Sequence, residues 1–189
     1  MFPQFWLFAL SCVFISIPTF ALDRNLKEKI PSTRVARQAD AHVQTRQFQP
    51  DIQSLILKWT NRERSIRRIP LLKISGPLNK LAYAHSLNQA RAGTMGHNSD
   101  KFPQGWRTFG QRIAKLHFSG PASYGENIFW SSAKLPSTIA GLDQYCRKVV
   151  QEWMDSPGHR KNILSVKFRL MGLGYCDGYM TQLFASQGP

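Results

Sequence analysis

Acidic residues are scarce in this chain, and its first 22 residues carry no charge of either sign. Eleven Asp and Glu stand against 25 Lys and Arg, leaving a formal net charge of +14. The imbalance is not confined to an arm or a tail. Residues 23–75 hold 12 basic and 5 acidic side chains, and residues 76–189 hold 13 and 6. A dispersed positive field favours anionic partners such as acidic lipid, wall polymer or nucleic acid, and equally describes a solvated basic surface. Cysteine is scarce too, at Cys12, Cys146 and Cys176. No GxSxG or HExxH segment and no cysteine–histidine nucleophile arrangement occurs, so the familiar hydrolase signatures are missing. There is no internal repeat and no low-complexity tract.

The uncharged start, MFPQFWLFALSCVFISIPTFAL, is apolar from Phe5 to Leu22. It reads as an export signal over residues 1–21, with Thr19-Phe20-Ala21 as the small-residue cleavage site. The alternative is an uncleaved membrane anchor, since the run has no basic residue before it and Arg24, Lys27 and Lys29 after it. The expected location is secreted or periplasmic, with a membrane-anchored form as the variant. Residues 22–50 are polar and basic without sustained periodicity and read as a linker. The folded domain is expected over residues 51–189.

Within that domain the apolar spacing marks three long helices. The first runs from Asp51, a candidate N-cap, through Ile52, Leu55, Ile56, Trp59 and Ile66 to Pro70. The second follows Gly76-Pro77 and carries Leu78, Leu81, Ala82 and His85 on one face. His85 on that apolar face reads as a packed core histidine. The third runs from Ile139 to Met154, and a short helix is expected around Phe109 to Leu116. Two alternating runs, Met171 to Cys176 and Tyr179 to Ala185, flank Asp177-Gly178, a strong hairpin turn. A further strand is expected near Ile128-Phe129-Trp130. The fold class is therefore α+β.

Between the third helix and the hairpin lies SPGHRKNIL, residues 156–164. Ser156 can cap a short helix, Pro157 can open it, and His159 then takes its third position. The positive end of the helix dipole favours neutral imidazole there, the form that accepts a proton or binds a metal. The same position suits a histidine that only holds a neighbouring loop. Arg160 and Asn162 read as ties from this helix to its neighbours.

Several spaced segments now agree. TNRER at 60–64, LAYAHS at 81–86, GHNSD at 96–100 and YGENI at 124–128 are followed by EWMDSPGHRKNIL at 152–164, MGLGYC at 171–176 and YMTQLFA at 179–185. Together they resemble the CAP superfamily of cysteine-rich secretory, antigen 5 and pathogenesis-related 1 proteins, in its bacterial SCP-domain form, over about residues 52–186. The resemblance implies an α-β-α sandwich with a small antiparallel sheet between helical layers. It also implies a polar cleft lined in better-known members by two histidines and two glutamates that can hold a divalent metal. Carried over residue by residue, the first histidine is His97 and the first glutamate Glu126. The second histidine falls on Tyr179 and the second glutamate on Ser156, so two of the four are replaced.

A zinc site usually takes three nitrogen, sulfur or carboxylate donors. The candidate ligand set is thus His97, Glu126 and His159, with Asp155 a poorer third, and zinc or another divalent ion the candidate cofactor. The ligand cleft is expected to gather His97, Glu126, His159, Tyr179 and Thr181. On the strand, Tyr179 and Thr181 share a face and Gln182 points oppositely. Cys146 and Cys176 are either one disulfide of an exported protein or two separate core residues. The favoured function is a non-enzymatic binding module for lipid or sterol, an anionic envelope surface or a protein partner. The alternative is a metal-assisted hydrolase using His97, Glu126 and His159. Nucleic acid is disfavoured, because nothing pairs basic residues with exposed aromatics in a recognisable module.

Overall fold

A computed structural model describes residues 51–118 and 120–188. The expected signal and linker, and Cys12, lie outside the described residues. Helix α1 covers residues 51–66. A two-residue strand β1 (Lys73–Ile74) leads into α2 (Gly76–Ala92). Helix α3 (Phe109–Ile113) continues as a 3-10 turn (Ala114–Leu116) into β2 (Tyr124–Trp130). Helices α4 (Ile139–Asp155) and α5 (Pro157–Ile163) precede the hairpin of β3 (Leu170–Cys176) and β4 (Tyr179–Ala185).

The sheet order is β1-β3-β4-β2. Strand β4 pairs antiparallel with β3 and β2, whereas β1 runs parallel to β3, at Lys73 opposite Leu170. The sheet is therefore mixed rather than purely antiparallel. Two residues are too short to leave a period in the sequence, which is why β1 escapes notice there.

Every residue of β4 is buried, so this central strand feeds two cores. Its Met180 and Phe184 join Met171, Leu173 and Tyr175 of β3 beneath Ile52 and Ile56 of α1 and Cys146, Val149, Val150 and Trp153 of α4. Its Leu183 and Ala185 point the other way, onto Leu78, Leu81 and Ala82 of α2 and Ile113 of α3. The period-2 alternation thus supplies one helical layer on each face, the sandwich expected above.

Close approach of α2 depends on Gly172 and Gly174. A Cβ at Gly172 would lie 2.3–2.5 Å from Leu78 and Asn79, and one at Gly174 2.1–2.3 Å from Ala82 and Tyr83. The helix backbone rests directly on the strand there.

Local signals explain the helix ends. Ser75 accepts the Leu78 N–H across the start of α2, and Gly93 closes that helix at φ 59. Thr108 and Gln111 form a reciprocal capping box on α3. Ser156 stands at the N-cap of α5 with Pro157 behind it, and its carbonyl accepts the Arg160 N–H. Its hydroxyl makes no capping bond, which corrects part of the sequence expectation. Of the two alternatives left open for the cysteines, the fold agrees with separate core residues: among the described residues, Cys146 and Cys176 are both free and buried. Cys146 belongs to the α4 side of the sheet, while Cys176 shares the face of Gly172 and Gly174 beneath α2. The sheet lies between them. Burial pushes their thiols up to about 12 and about 11, away from thiolate chemistry.

Candidate functional site

Glu126 sits in β2 opposite Leu183, and so on the α2 face of the sheet. Its carboxylate is 2% exposed. Burial opposes its charge, yet hydrogen bonding from His97 and the charges of His85 and Arg112 hold its pKa below the ordinary carboxylate value. The geometry shows why. Nη2 of Arg112, itself buried, donates to Oε1 at 2.8 Å and to Oε2 at 2.9 Å. The same nitrogen donates to the His97 carbonyl at 2.8 Å, and Nη1 to the Trp106 carbonyl at 3.2 Å. One side chain on short α3 thereby fixes both the carboxylate and the loop that carries His97.

His97 Nδ1 lies 2.8 Å from Glu126 Oε1. An ionised carboxylate only accepts, so Nδ1 carries the proton and a neutral ring keeps its Nε2 lone pair. The His97 side chain is 46% exposed, which makes it the open edge of an otherwise buried cluster.

His85, on α2, closes the cluster from inside. It lies edge-on to Phe102, and its Nε2 is 3.8 Å from Glu126 Oε2, too long for a hydrogen bond. Among the described residues, neither ring nitrogen has a hydrogen-bond partner. The Gly96 backbone favours the protonated ring slightly without completing such a bond. Burial dominates and lowers the His85 pKa to about 4. At neutral pH the ring is uncharged, and Arg112 supplies the lasting positive charge beside Glu126.

His159 arrives from the opposite layer. It is the third residue of α5, as the sequence implied. A chain of side-chain amides docks that helix on the sheet. Gln182 donates to Thr60 of α1 at 2.9 Å, and Asn127 donates to Gln182 at 3.1 Å and to the His159 carbonyl at 3.3 Å. Asn162 then donates to Asn127 at 2.9 Å and to the Glu126 carbonyl at 3.1 Å. His159 is thus held beside Glu126's own strand, with its ring centroid 6.2 Å from that of His97. Burial and the neighbouring His97 lower its pKa, favouring the neutral ring.

The structure brings His97 to Glu126 and sets the His159 ring beside that of His97. It does not bring Thr181 or Tyr179 to them. Thr181 is fully buried beneath α2, where its hydroxyl oxygen receives Ser86 at 3.0 Å and Gln89 at 3.2 Å. Tyr179 lies opposite Trp130 at the other end of β2 from Tyr124, with the two rings 6.1 Å apart. The cluster instead recruits Arg112 and His85. Arg112 stands in the segment expected to be a short helix, but nothing in its spacing marks it. The available signal was indirect, because a buried acid needs a cation or several donors.

The donor set does not fit a zinc ion held by Glu126. Arg112 and His97 occupy the carboxylate, and a divalent ion against it would face the guanidinium. Among the described residues, no group of three or more His, Cys, Asp or Glu side chains converges as a metal site. What faces outward is an imidazole pair backed by a fixed anion.

The uncharacterized protein YkwD of Bacillus subtilis is 29% identical over 160 residues, covering 83% of this chain and 54% of YkwD. An extracellular SCP-domain protein of Bacillus anthracis superposes with a TM-score of 0.59 at 29% identity, over 74% of this chain and 42% of that one. An outer surface protein of Borrelia burgdorferi shares the fold at a TM-score of 0.54 and 17% identity, over 73% of this chain and 93% of that one. The chain therefore spans about half the length of the Bacillus relatives. The family description "Cysteine-rich secretory protein family" matches residues 57–186, from within α1 to just past β4. By that match, and by the helix–sheet–helix layers that carry it, the chain belongs to the cysteine-rich secretory protein (CAP) family.

Proposed function

We infer that this chain is an exported CAP domain that binds rather than cleaves, holding a lipid or an acidic envelope polymer against the cleft edge formed by His97 and His159. The observation that carries this reading is the engagement of both Glu126 oxygens by Arg112 inside the protein. A general base needs a free lone pair and a pKa near the working pH. Glu126 falls short on both: Oε1 already accepts from Arg112 and His97, Oε2 accepts from Arg112 and is buried beside His85, and its pKa lies below the ordinary carboxylate value. The two imidazoles can donate and accept hydrogen bonds at an accessible edge, and the +14 chain draws acidic partners toward it. The extracellular and outer-surface descriptions of two structural relatives agree with export, as does the apolar start. Among the described residues, no helix is long and apolar enough to cross a membrane.

The second reading is a metal-assisted hydrolase on His97, Glu126 and His159. It draws support from the closeness of the two imidazoles, and it requires Glu126 to leave Arg112. One experiment separates the two readings. Retention on isolated cell-wall sacculi, and of a short-chain acidic lipid kept below its micelle concentration, is measured for the parent, His97→Ala, His159→Ala and Glu126→Gln, alongside peptide hydrolysis with and without zinc. The binding reading expects several-fold weaker retention for the histidine variants and no hydrolysis in any sample. Zinc-dependent hydrolysis abolished by Glu126→Gln would overturn it.

A further inference from the structure

A second surface stands out at the C-terminal end of α1. Arg64 is fully buried, and its guanidinium donates to four carbonyls: Pro70 at 2.8 Å, Ile163 at 2.7 Å, Ser165 at 2.9 Å and Phe168 at 3.1 Å. The first belongs to the turn after α1, the second is the last residue of α5, and the other two lie in the turn that follows it. One arginine therefore fastens two surface turns side by side.

Both turns expose aliphatic side chains. Ile66 is 66% exposed, Leu71 55% and Val166 63%. Exposed aliphatics on two adjoining, fastened turns are unlike the single scattered ones common on protein surfaces. Cations accompany them. Arg68 is on the first turn, and Lys167 and Arg169 are on the second, all exposed. The Arg169 guanidinium also bonds the Val166 and Phe168 carbonyls, which keeps it on its own turn. No acidic residue occurs between Glu63 and Asp100 or between Asp155 and Asp177. Glu63 is itself paired with Arg67.

The backbone at Arg68 adds a separate observation. Ile69 N–H bonds the Arg64 carbonyl and Arg68 N–H bonds the Ser65 carbonyl, the paired bonds of a Schellman helix ending. The left-handed residue of that ending is Arg68, at φ 55, where glycine is the favoured residue. A long cation thus occupies a strained position at the tip of the turn.

We propose that these two turns form a docking surface for an anionic lipid bilayer, with Ile66, Leu71 and Val166 entering the interface and Arg68, Lys167 and Arg169 meeting the headgroup phosphates. Aliphatics buried in the acyl boundary and basic side chains at headgroup level are the two contributions to peripheral binding, and each needs the other to hold a small domain on a membrane. A soluble polyanion would have no use for the aliphatics. The docking is independent of the cleft, so either reading of His97 and Glu126 can fail without it.

The test uses the full chain with Cys12→Ser and an environment-sensitive dye on Val166→Cys; Cys146 and Cys176 are buried and stay unlabelled. Reading the dye rather than the bound fraction keeps the result independent of the apolar run at residues 5–22. Emission should shift blue, and brominated acyl chains should quench it, on phosphatidylglycerol vesicles but not on phosphatidylcholine vesicles. A dye on Lys134→Cys, outside both turns, should not respond. Arg68→Gly should weaken the vesicle response about fivefold, the worth of one cation near an acidic lipid surface, while thermal stability stays level or rises. No blue shift on phosphatidylglycerol, an equal shift on phosphatidylcholine, an equal shift at position 134, or an unchanged response in Arg68→Gly would overturn the proposal. So would a response to soluble polyphosphate without quenching by brominated lipid, which would assign the surface to a polyanion.

Discussion

Arg112 and Glu126, 14 positions apart in sequence, form a buried ion pair in which one guanidinium nitrogen bonds both carboxylate oxygens, at 2.8 and 2.9 Å. Removing one partner of such a pair strands the other charge away from water. Arg112→Ala is expected to destabilise the domain by about 3–5 kcal/mol. Chemical denaturation of Arg112→Ala, Glu126→Gln and the double variant measures this. The double variant should cost less than the two single changes added together, because the stranded charge is gone.

Two acid-side windows should appear in stability against pH. The folded His85 ring resists protonation down to about 4, whereas the unfolded ring takes a proton below about 6.5. Its depressed folded pKa therefore leaves stability fully present above about 6.5 and removes it as pH falls toward 4, by about 3 kcal/mol in all. Glu126 acts lower. Its folded pKa lies below the ordinary 4.5, so its contribution is present above that value and is lost as pH falls through the folded one. His85→Leu should shrink the upper window to the share contributed by His159, whose folded pKa is also lowered, and leave the lower one, as read by urea midpoints between pH 7 and 3.

Asn162 ties α5 to the Glu126 strand through two bonds. Asn162→Ala should cost about 1–3 kcal/mol and loosen the helix that carries His159. Proton NMR of the imidazole rings should then show the His159 titration moving up toward the ordinary histidine value as the ring becomes more solvated, with thermal melting reporting the lost stability.

Thiol reactivity tests the separation of the cysteines. Ellman's reagent added to folded, unreduced protein should find Cys146 and Cys176 silent, and after unfolding without reductant should count both. A mass two units below the reduced value, or no reactive thiol at these positions after unfolding, would mean that they are joined.

The parts of this molecule that were legible in sequence are those with a period or a punctuation mark. Helix α4 shows its apolar face at three- and four-residue spacing, and Asp177-Gly178 marks the β3–β4 hairpin. Pro157 fixes the start of α5 and so the position of His159. The alternation of Thr181 and Gln182 was also readable: one bonds α2 and the other α1, across the sheet. The parts that were not legible depend on contacts distant in the chain. The site of Arg112 is set by a buried acid on another element, and Arg64 lies in a recognised segment whose role appears only when four carbonyls surround it. Tyr179 shares the sheet face of Glu126, but a strand face is long, and it lies at the far end. His85 read as a packed core histidine, and it is buried, yet its nearness to Glu126 leaves no trace in the apolar spacing around it.

Glu126 is ionised and engaged with Arg112 in the folded domain. Its side-chain carboxyl carbon can be followed by carbon-13 NMR from pH 7 to pH 3, with and without added zinc. The expected result is a carboxylate signal that persists below the ordinary midpoint of 4.5 and does not move when zinc is added. A carboxyl that titrates at or above 4.5, or that shifts on zinc addition at neutral pH, would contradict it.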